Sequence, residues 1–308
     1  MINIFIPSYH RPKNIKTAKY FKKIGYDVKK IHVIIDDEAD DREEYLKEIK
    51  KLGCNLHITN IKESRKRFDY VHRPSVLRRA AGQFRNQFYE IAKKNNIDFY
   101  ITIDDDTRQY EIKPFAIYKR GAVLKDFVKV FKGIKSFMIK HKIGCFGLSQ
   151  TGDMFQVPDF KIIRNKVMNT TFINTKYIYR GEKGLQDNDT SQFVGIMNEG
   201  LFTGSLATGL ALNPESSATQ KGGLTDVYNE NKLLNKSLII PIQFPSLCHA
   251  EKQKRNGGRI HHRINHKHLS PKLIKGKRNN IAWDSYKEDY PFTNEPKRNI
   301  KNEQNRTQ

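Results

Sequence analysis

The hydrophobic pattern changes period along the chain. Short apolar runs of strand length alternate with longer stretches in which apolar residues recur every three or four positions. The runs Ile2 to Ile6, Ile31 to Ile35, Leu56 to Ile58, Phe99 to Ile103 and Ile143 to Leu148 read as strands. Arg42 to Lys51, Ser75 to Lys94 and Val123 to Lys140 read as helices between them. In the second, Leu77, Ala81, Phe84, Phe88 and Ile91 share one helical face; in the third, Val123, Phe127, Val130, Phe131, Ile134 and Met138 do. Strand–helix–strand alternation predicts an α/β fold, with a mostly parallel sheet flanked by helices.

Beyond residue 150 the pattern is less regular. Thr170 to Asn174 predicts a strand, a helix begins near Asp189-Thr190, and the Gly/Ser/Thr-rich stretch Thr203 to Thr219 reads as loop. Leu238 to Phe244 reads as a last apolar strand. From His249 onward the chain is polar and basic, carries five of the ten histidines, and is expected to lose order beyond about Asn294. The expected organisation is a main domain over 1–248, with a nucleotide-binding half (1–110) and an acceptor half (111–248), followed by a basic, His-rich extension over 249–308.

Composition narrows the class. A 37% hydrophobic and 11% aromatic content supports a packed core in this 308-residue chain. No run approaches the roughly 20 apolar residues of a spanning helix, and no basic segment precedes the first strand as in a secretory leader, so an intracellular protein is expected. Cys54, Cys145 and Cys248 are odd in number and far apart, which suits reduced thiols better than disulfides or a metal site. The formal net charge of +23 points to a polyanionic partner.

The sharpest chemical feature is Phe99-Tyr100-Ile101-Thr102-Ile103-Asp104-Asp105-Asp106, an apolar strand that runs straight into three carboxylates. Adjacent carboxylates repel and resist burial, so such a cluster suits the carboxyl end of a strand in an open α/β sheet, where ligands bind and a cation can neutralise it. Asp104 and Asp106 are two apart and face the same side of an extended chain, so both can ligate a hard divalent cation and bridge it to a substrate diphosphate. Two further strand ends are polar: Pro7-Ser8-Tyr9-His10-Arg11 after the first and Asp36-Asp37 after the second. Together they predict a nucleotide pocket at one sheet edge.

These pieces, with Gly82 and Arg85-Asn86 on the helix before the acidic strand, resemble a GT-A fold glycosyltransferase over about residues 1–106. Within that fold the chain is most similar to the bacteriophage glycosyltransferases associated with TET/JBP pyrimidine hydroxylases; that narrower match rests on the N-terminal half, Gln186-Asp187-Asn188-Asp189-Thr190 and the basic tail. The resemblance implies a nucleotide-sugar donor, a UDP-sugar in the first instance, and transfer to a hydroxymethylated pyrimidine such as 5-hydroxymethylcytosine in DNA. It implies Mn²⁺ or Mg²⁺ on Asp104 and Asp106, with a late histidine as third ligand: His249, or His261 or His262. Pro7, Ser8, Tyr9, Arg11, Asp36, Asp37, Arg79, Arg85, Asp104 and Asp105 would line the donor pocket. Asp187, or Asp189 as second choice, would take the acceptor proton; the family's Glu-Asp pair is here Gln186-Asp187, which leaves the Asp residues to carry the role. The enzyme would work in the cytoplasm, that of the host if the chain is phage-encoded, without membrane or obligate protein partner.

The excess charge is clustered. One block holds Arg65, Lys66, Arg67 and Arg73, and a second holds Arg255 and Arg259 around two glycines, next to His261 and His262; both predict contacts to DNA phosphates. A glycosyltransferase with a cell-envelope or protein acceptor would share every catalytic residue, and a non-catalytic nucleic-acid-binding protein would share the basic blocks. A nucleotidyltransferase is disfavoured, because no Gly-rich, Lys-containing loop follows the first strand.

Overall fold

A computed structural model describes residues 1–67, 81–112, 122–124, 126–148, 162–163, 166–177, 188–199, 201, 203–206, 209–212, 237–253 and 260–269. In chain order the elements are β1 (Asn3–Pro7), α1 (Lys16–Lys23), β2 (Ile31–Asp36), α2 (Arg42–Leu52), β3 (Asn55–Thr59), α3 (Ile61–Arg67), α4 (Ala81–Lys94) and β4 (Phe99–Ile103). There follow β5 (Gln109–Ile112), β6 (Ala122–Val123), α5 (Phe127–Lys140), β7 (Cys145–Leu148), β8 (Ile162–Ile163), β9 (Thr170–Asn174) and α6 (Asn188–Asn198). The last are β10 (Thr203–Leu206), β11 (Gly209–Leu212), a short helix α7 over 237–243, β12 (Cys248–Lys252) and β13 (Ile260–Ile264).

The main sheet has eight strands in the order β3-β2-β1-β4-β9-β7-β10-β8. β3, β2, β1 and β4 are parallel neighbours, in register Ile4↔Ile31 and Ile4↔Ile101. β9 runs antiparallel between β4 and β7, with Ile103 opposite Thr170, and β8 is antiparallel to β10. The expected α/β class, a mostly parallel sheet with flanking helices, is therefore the observed one.

Successive strand residues point to opposite faces, and both faces are covered, which is why these strands read as continuous apolar runs. Ile4 and Ile6 join Phe21 of α1, Tyr45 and Ile49 of α2 and Phe131 and Ile134 of α5 in one core. Phe5, Ile34 and Tyr100 join Phe84 and Phe88 of α4 and Ile196 of α6 in the other. Helix α2 ends where Gly53 takes a left-handed φ of 83° and its N–H caps the Ile49 carbonyl, a conformation that suits glycine.

Four sequence expectations change. Leu238 to Phe244 is not a strand: residues 237–243 are helical, and Phe244 N–H bonds to Ile240 C=O. A short apolar run fits either state, and packing of Ile239 and Ile240 against Phe193, Val194 and Met197 of α6 decides it. Val123 belongs to β6, and α5 starts only after Asp126, whose carboxylate caps the Lys129 N–H. The stretch from Thr203, read as loop, contains β10 and β11; Gly204 and Ser205 are small because β10 is buried in the sheet. The extension opens with the β12–β13 hairpin, and Leu247, Cys248 and Leu269 pack into the α6–α7 core. Its terminal part lies outside the described residues, as do positions 75–80 of the second predicted helix.

Candidate active site at the end of the fourth strand

Strand β4 delivers Asp104, Asp105 and Asp106 at its carboxyl end, between the exits of β1 and β2 on one side and the entry to β9 on the other. Backbone contacts fix them there. Asp104 N–H donates to Asn169 C=O (3.3 Å), and Thr17 N–H donates to Asp105 C=O (3.1 Å). The Thr17 hydroxyl donates to Asp104 C=O and accepts from Thr107 N–H.

The middle carboxylate turns inward. Asp105 accepts from Ser8 Oγ at 2.7 Å and from Arg11 Nη1 at 3.0 Å. Tyr45 OH lies 2.8 Å from Ser8 Oγ and accepts from Arg11 N–H at 3.0 Å. Because the Ser8 hydroxyl donates to Asp105, Tyr45 must be the donor to Ser8. The hydrogen bonds thus run from Arg11 N–H through Tyr45 and Ser8 to Asp105, and the Arg11 guanidinium closes the ring. This locks the β1 exit against the acidic cluster. Sequence reasoning missed Tyr45, because Tyr45, Ile49 and Leu52 form the buried stripe of α2 and only the hydroxyl departs from a core role.

Burial raises the Asp104 carboxyl to about 7, with the Asp106 charge adding to it and Arg85 opposing. Burial likewise raises Asp105 to about 6, against Arg11. Asp106 lies 3.9 Å from Arg11, and its Oδ1 is buried without a hydrogen-bond partner among the described residues. An orphaned carboxylate oxygen beside a second, electrostatically stressed carboxylate suits a hard divalent cation, so Asp104 and Asp106 fit a metal. His249 does not join them. It stands exposed on β12 at 3.5 Å from Glu251, and no third His, Cys, Asp or Glu ligand gathers with Asp104 and Asp106 among the described residues. The apolar run expected to form a strand ahead of His249, Leu238 to Phe244, is helical over 237–243, and the histidine sits on the following hairpin. His261 and His262 meet edge-on on β13 of the same hairpin, with ring centroids 4.3 Å apart.

Nearby, Pro7 ends β1, and the Tyr9 ring lies 3.9 Å from that of His10. Asp36 ends β2 and accepts from Glu38 N–H (3.0 Å); Asp37 accepts from Ile61 N–H (3.1 Å). His10 Nδ1 pairs with Asp40 (3.2 Å) and Asp41 (3.4 Å) at the mouth of this edge.

On the far side of β4, Asp189 occupies the first turn of α6, and Lys166 Nζ lies 2.7 Å from its Oδ2. Burial alone would raise Asp189, but Lys166 and Arg85 hold it below the usual carboxylate range. Arg85 of α4 acts on both Asp104 and Asp189, so these two carboxylates share one guanidinium. Lys166 carried no sequence signal in a chain this rich in lysine. Asp187, Arg73, Arg79, Arg255 and Arg259 lie outside the described residues, as do the side chains of Arg65 and Arg67. Lys66 is exposed and pairs with Glu63 at 2.9 Å.

Three solved structures are similar to this chain. Glucosyl-3-phosphoglycerate synthase from Mycobacterium tuberculosis, in complex with Mg²⁺ and uridine diphosphate, is 9% identical over 86% of this chain and 87% of its own, with a TM-score of 0.42. A mannosyltransferase from Pyrobaculum calidifontis, in complex with GDP-mannose and Mn²⁺, is 9% identical over 80% and 63%, with a TM-score of 0.45. Mouse xyloside xylosyltransferase 1 is 10% identical over 65% and 83%, with a TM-score of 0.36. No curated protein matches by sequence. The model of the TET-associated glycosyltransferases, by contrast, matches residues 2–201, which span β1, the acidic cluster and α6: the chain belongs to that family and is a glycosyltransferase.

Proposed function

We propose that the protein transfers a sugar from a nucleotide-sugar donor, a UDP-sugar, to the hydroxymethyl group of a modified pyrimidine in DNA, as a step of phage DNA hypermodification. The family match carries this reading; the charge of +23 supports a polyanionic acceptor, and the buried carboxylates support a metal-assisted donor site. Asp104 and Asp106 would hold Mn²⁺ or Mg²⁺. The ion would offset negative charge growing on the departing diphosphate. Asp36 or Asp37 would contact the uracil or ribose, and Arg11 stays beside the acidic trio through its bond to Asp105. Asp187 takes the proton from the acceptor hydroxyl. The freed oxygen bonds to the anomeric carbon as the bond from that carbon to the diphosphate breaks, and the electron pair leaves with the nucleotide. Asp189, its charge held by Lys166, is a poor proton acceptor and serves instead to orient neighbouring groups.

The test is direct. The protein is incubated with UDP-sugars, Mn²⁺ and DNA that contains cytosine, 5-hydroxymethylcytosine or 5-hydroxymethyluracil, and the digested bases are weighed. A hexose or pentose mass gain on a hydroxymethylated base alone is expected. Gain only on a glycan or protein acceptor would overturn the DNA assignment and leave the donor chemistry standing.

A further inference from the structure

The strongest unassigned feature is Lys166. Strand β9 reverses direction, so the residues before it run alongside the acidic cluster at the carboxyl end of β4: Ile103 pairs with Thr170, and Asp104 N–H reaches Asn169 C=O. Strand β7 fixes the approach. A Cβ on Gly147 would lie 2.0 Å from Val167 Cγ1, so this glycine lets Val167 pack directly on the strand and sets where Lys166 emerges. The ammonium then meets Asp189 Oδ2 at 2.7 Å and Thr190 Oγ1 at 3.5 Å. It has three donors, and these contacts use two, while 38% of the side chain remains open to solvent. Arg85 also acts on Asp189, so Lys166 is not its sole counter-charge. The sheet order places this ammonium on the opposite side of β4 from β1 and β2, hence away from the nucleoside edge.

We infer that Lys166 binds a phosphate of the acceptor strand next to the modified base, and that Asp189 is the positioning residue that holds it there. This rests on the DNA-acceptor reading above. A fixed ammonium at this place would register the backbone so that the extruded base meets the donor.

The experiment compares wild type with Lys166→Gln, Lys166→Arg and Asp189→Asn, each checked for an unchanged thermal unfolding profile. For Lys166→Gln the KM for DNA should rise roughly tenfold, the size of one charge-assisted contact, while the KM for the UDP-sugar does not move. The slope of log binding constant against log salt should become shallower by about 0.9, one phosphate fewer. Lys166→Arg should restore both, and Asp189→Asn should reproduce the DNA defect. If Lys166→Gln instead weakens UDP-sugar binding by calorimetry and leaves the DNA KM and salt slope unchanged, Lys166 belongs to the donor diphosphate and the inference is overturned. Should Lys166→Gln fail to fold, an unchanged salt slope in Asp189→Asn overturns it equally. A wild type that binds DNA but transfers nothing to it defeats the functional reading alone, since the salt slopes still test Lys166. A wild type that binds no DNA defeats both.

Discussion

Arg11 Nη1 lies 3.0 Å from Asp105 Oδ1 and 3.9 Å from Asp106 Oδ2, so one guanidinium is bonded to the inward carboxylate of the trio and stands just short of the outward one. The cluster therefore has a cation of its own in the protein chain. Arg11 and Ser8 satisfy Asp105, whereas one oxygen of Asp106 has no hydrogen-bond partner among the described residues.

Breaking that ring should cost stability in proportion to what is left unpaired. Asp105→Ala removes two charge-assisted hydrogen bonds, from Arg11 and Ser8, and should destabilise by about 3–5 kcal/mol. Tyr45→Phe removes one hydroxyl from the ring and should cost about 1–2 kcal/mol. Urea unfolding of both variants checks the order, and equal losses would contradict it.

Metal binding should show as added thermal stability. Mn²⁺ should raise the wild-type midpoint, and Asp104→Asn or Asp106→Asn should remove that rise. The effect should shrink below about pH 7, because Asp104, raised to about 7 chiefly by burial, then holds a proton that competes with the ion. In the metal-free protein the sign is opposite. The raised Asp104 favours the folded state at low pH, and that contribution fades as pH rises through 7.

A second pH effect sits away from the site. His32 Nδ1 lies 2.8 Å from His57 Nε2, and His32 Nε2 lies 3.0 Å from Asn3 Oδ1, a polar ladder across β1, β2 and β3. Burial, with the His57 charge, lowers His32 to about 4. The stability this provides is full above the ordinary value of 6.5 and is lost as pH falls through 4, since protonation must disrupt the pair. His32→Gln should flatten the unfolding midpoint between pH 6.5 and 4; an unchanged slope would remove His32 as its source.

Gly147→Ala should be costly for a residue so small. Its Cβ would meet Val167 Cγ1 at 2.0 Å and the Thr170 carbonyl at 3.0 Å, so the backbone must give, at about 1–3 kcal/mol. Gly147→Ala combined with Val167→Ala should recover most of the loss, as a double-mutant cycle would show.

Asp187→Asn should lower kcat by about 10²–10⁴-fold, the usual worth of a general base, with DNA and donor binding retained. Asp189→Asn should act on the DNA KM instead. If Asp189→Asn alone removed turnover and Asp187→Asn did not, the two roles would have to be exchanged.

Much of the first 110 residues was legible in the sequence because the signals there are local. Parallel strands buried on both faces read as apolar runs, and β4 carries its three carboxylates directly behind it. The later part of the chain was less legible. β10 is buried yet built of Thr, Gly and Ser, and α7 is an apolar run whose state is set by packing on α6. The active-site partners that escaped notice are tertiary. Tyr45 looks like core until its hydroxyl is placed beside Ser8, and Lys166 is one lysine among many until the reversal of β9 brings it to Asp189.

That reversal has a consequence for how such an enzyme can change. β9 starts beside the acidic cluster instead of ending there, so the chain comes to it from β8 at the far edge of the sheet. Between the two-residue pairing of β8 with β10 and the anchors at Val167 and Asn169, it can lengthen or change sequence without disturbing a single rung of β4, β9 or β7. The sheet can thus be inherited intact while the short segment that leads into β9 changes.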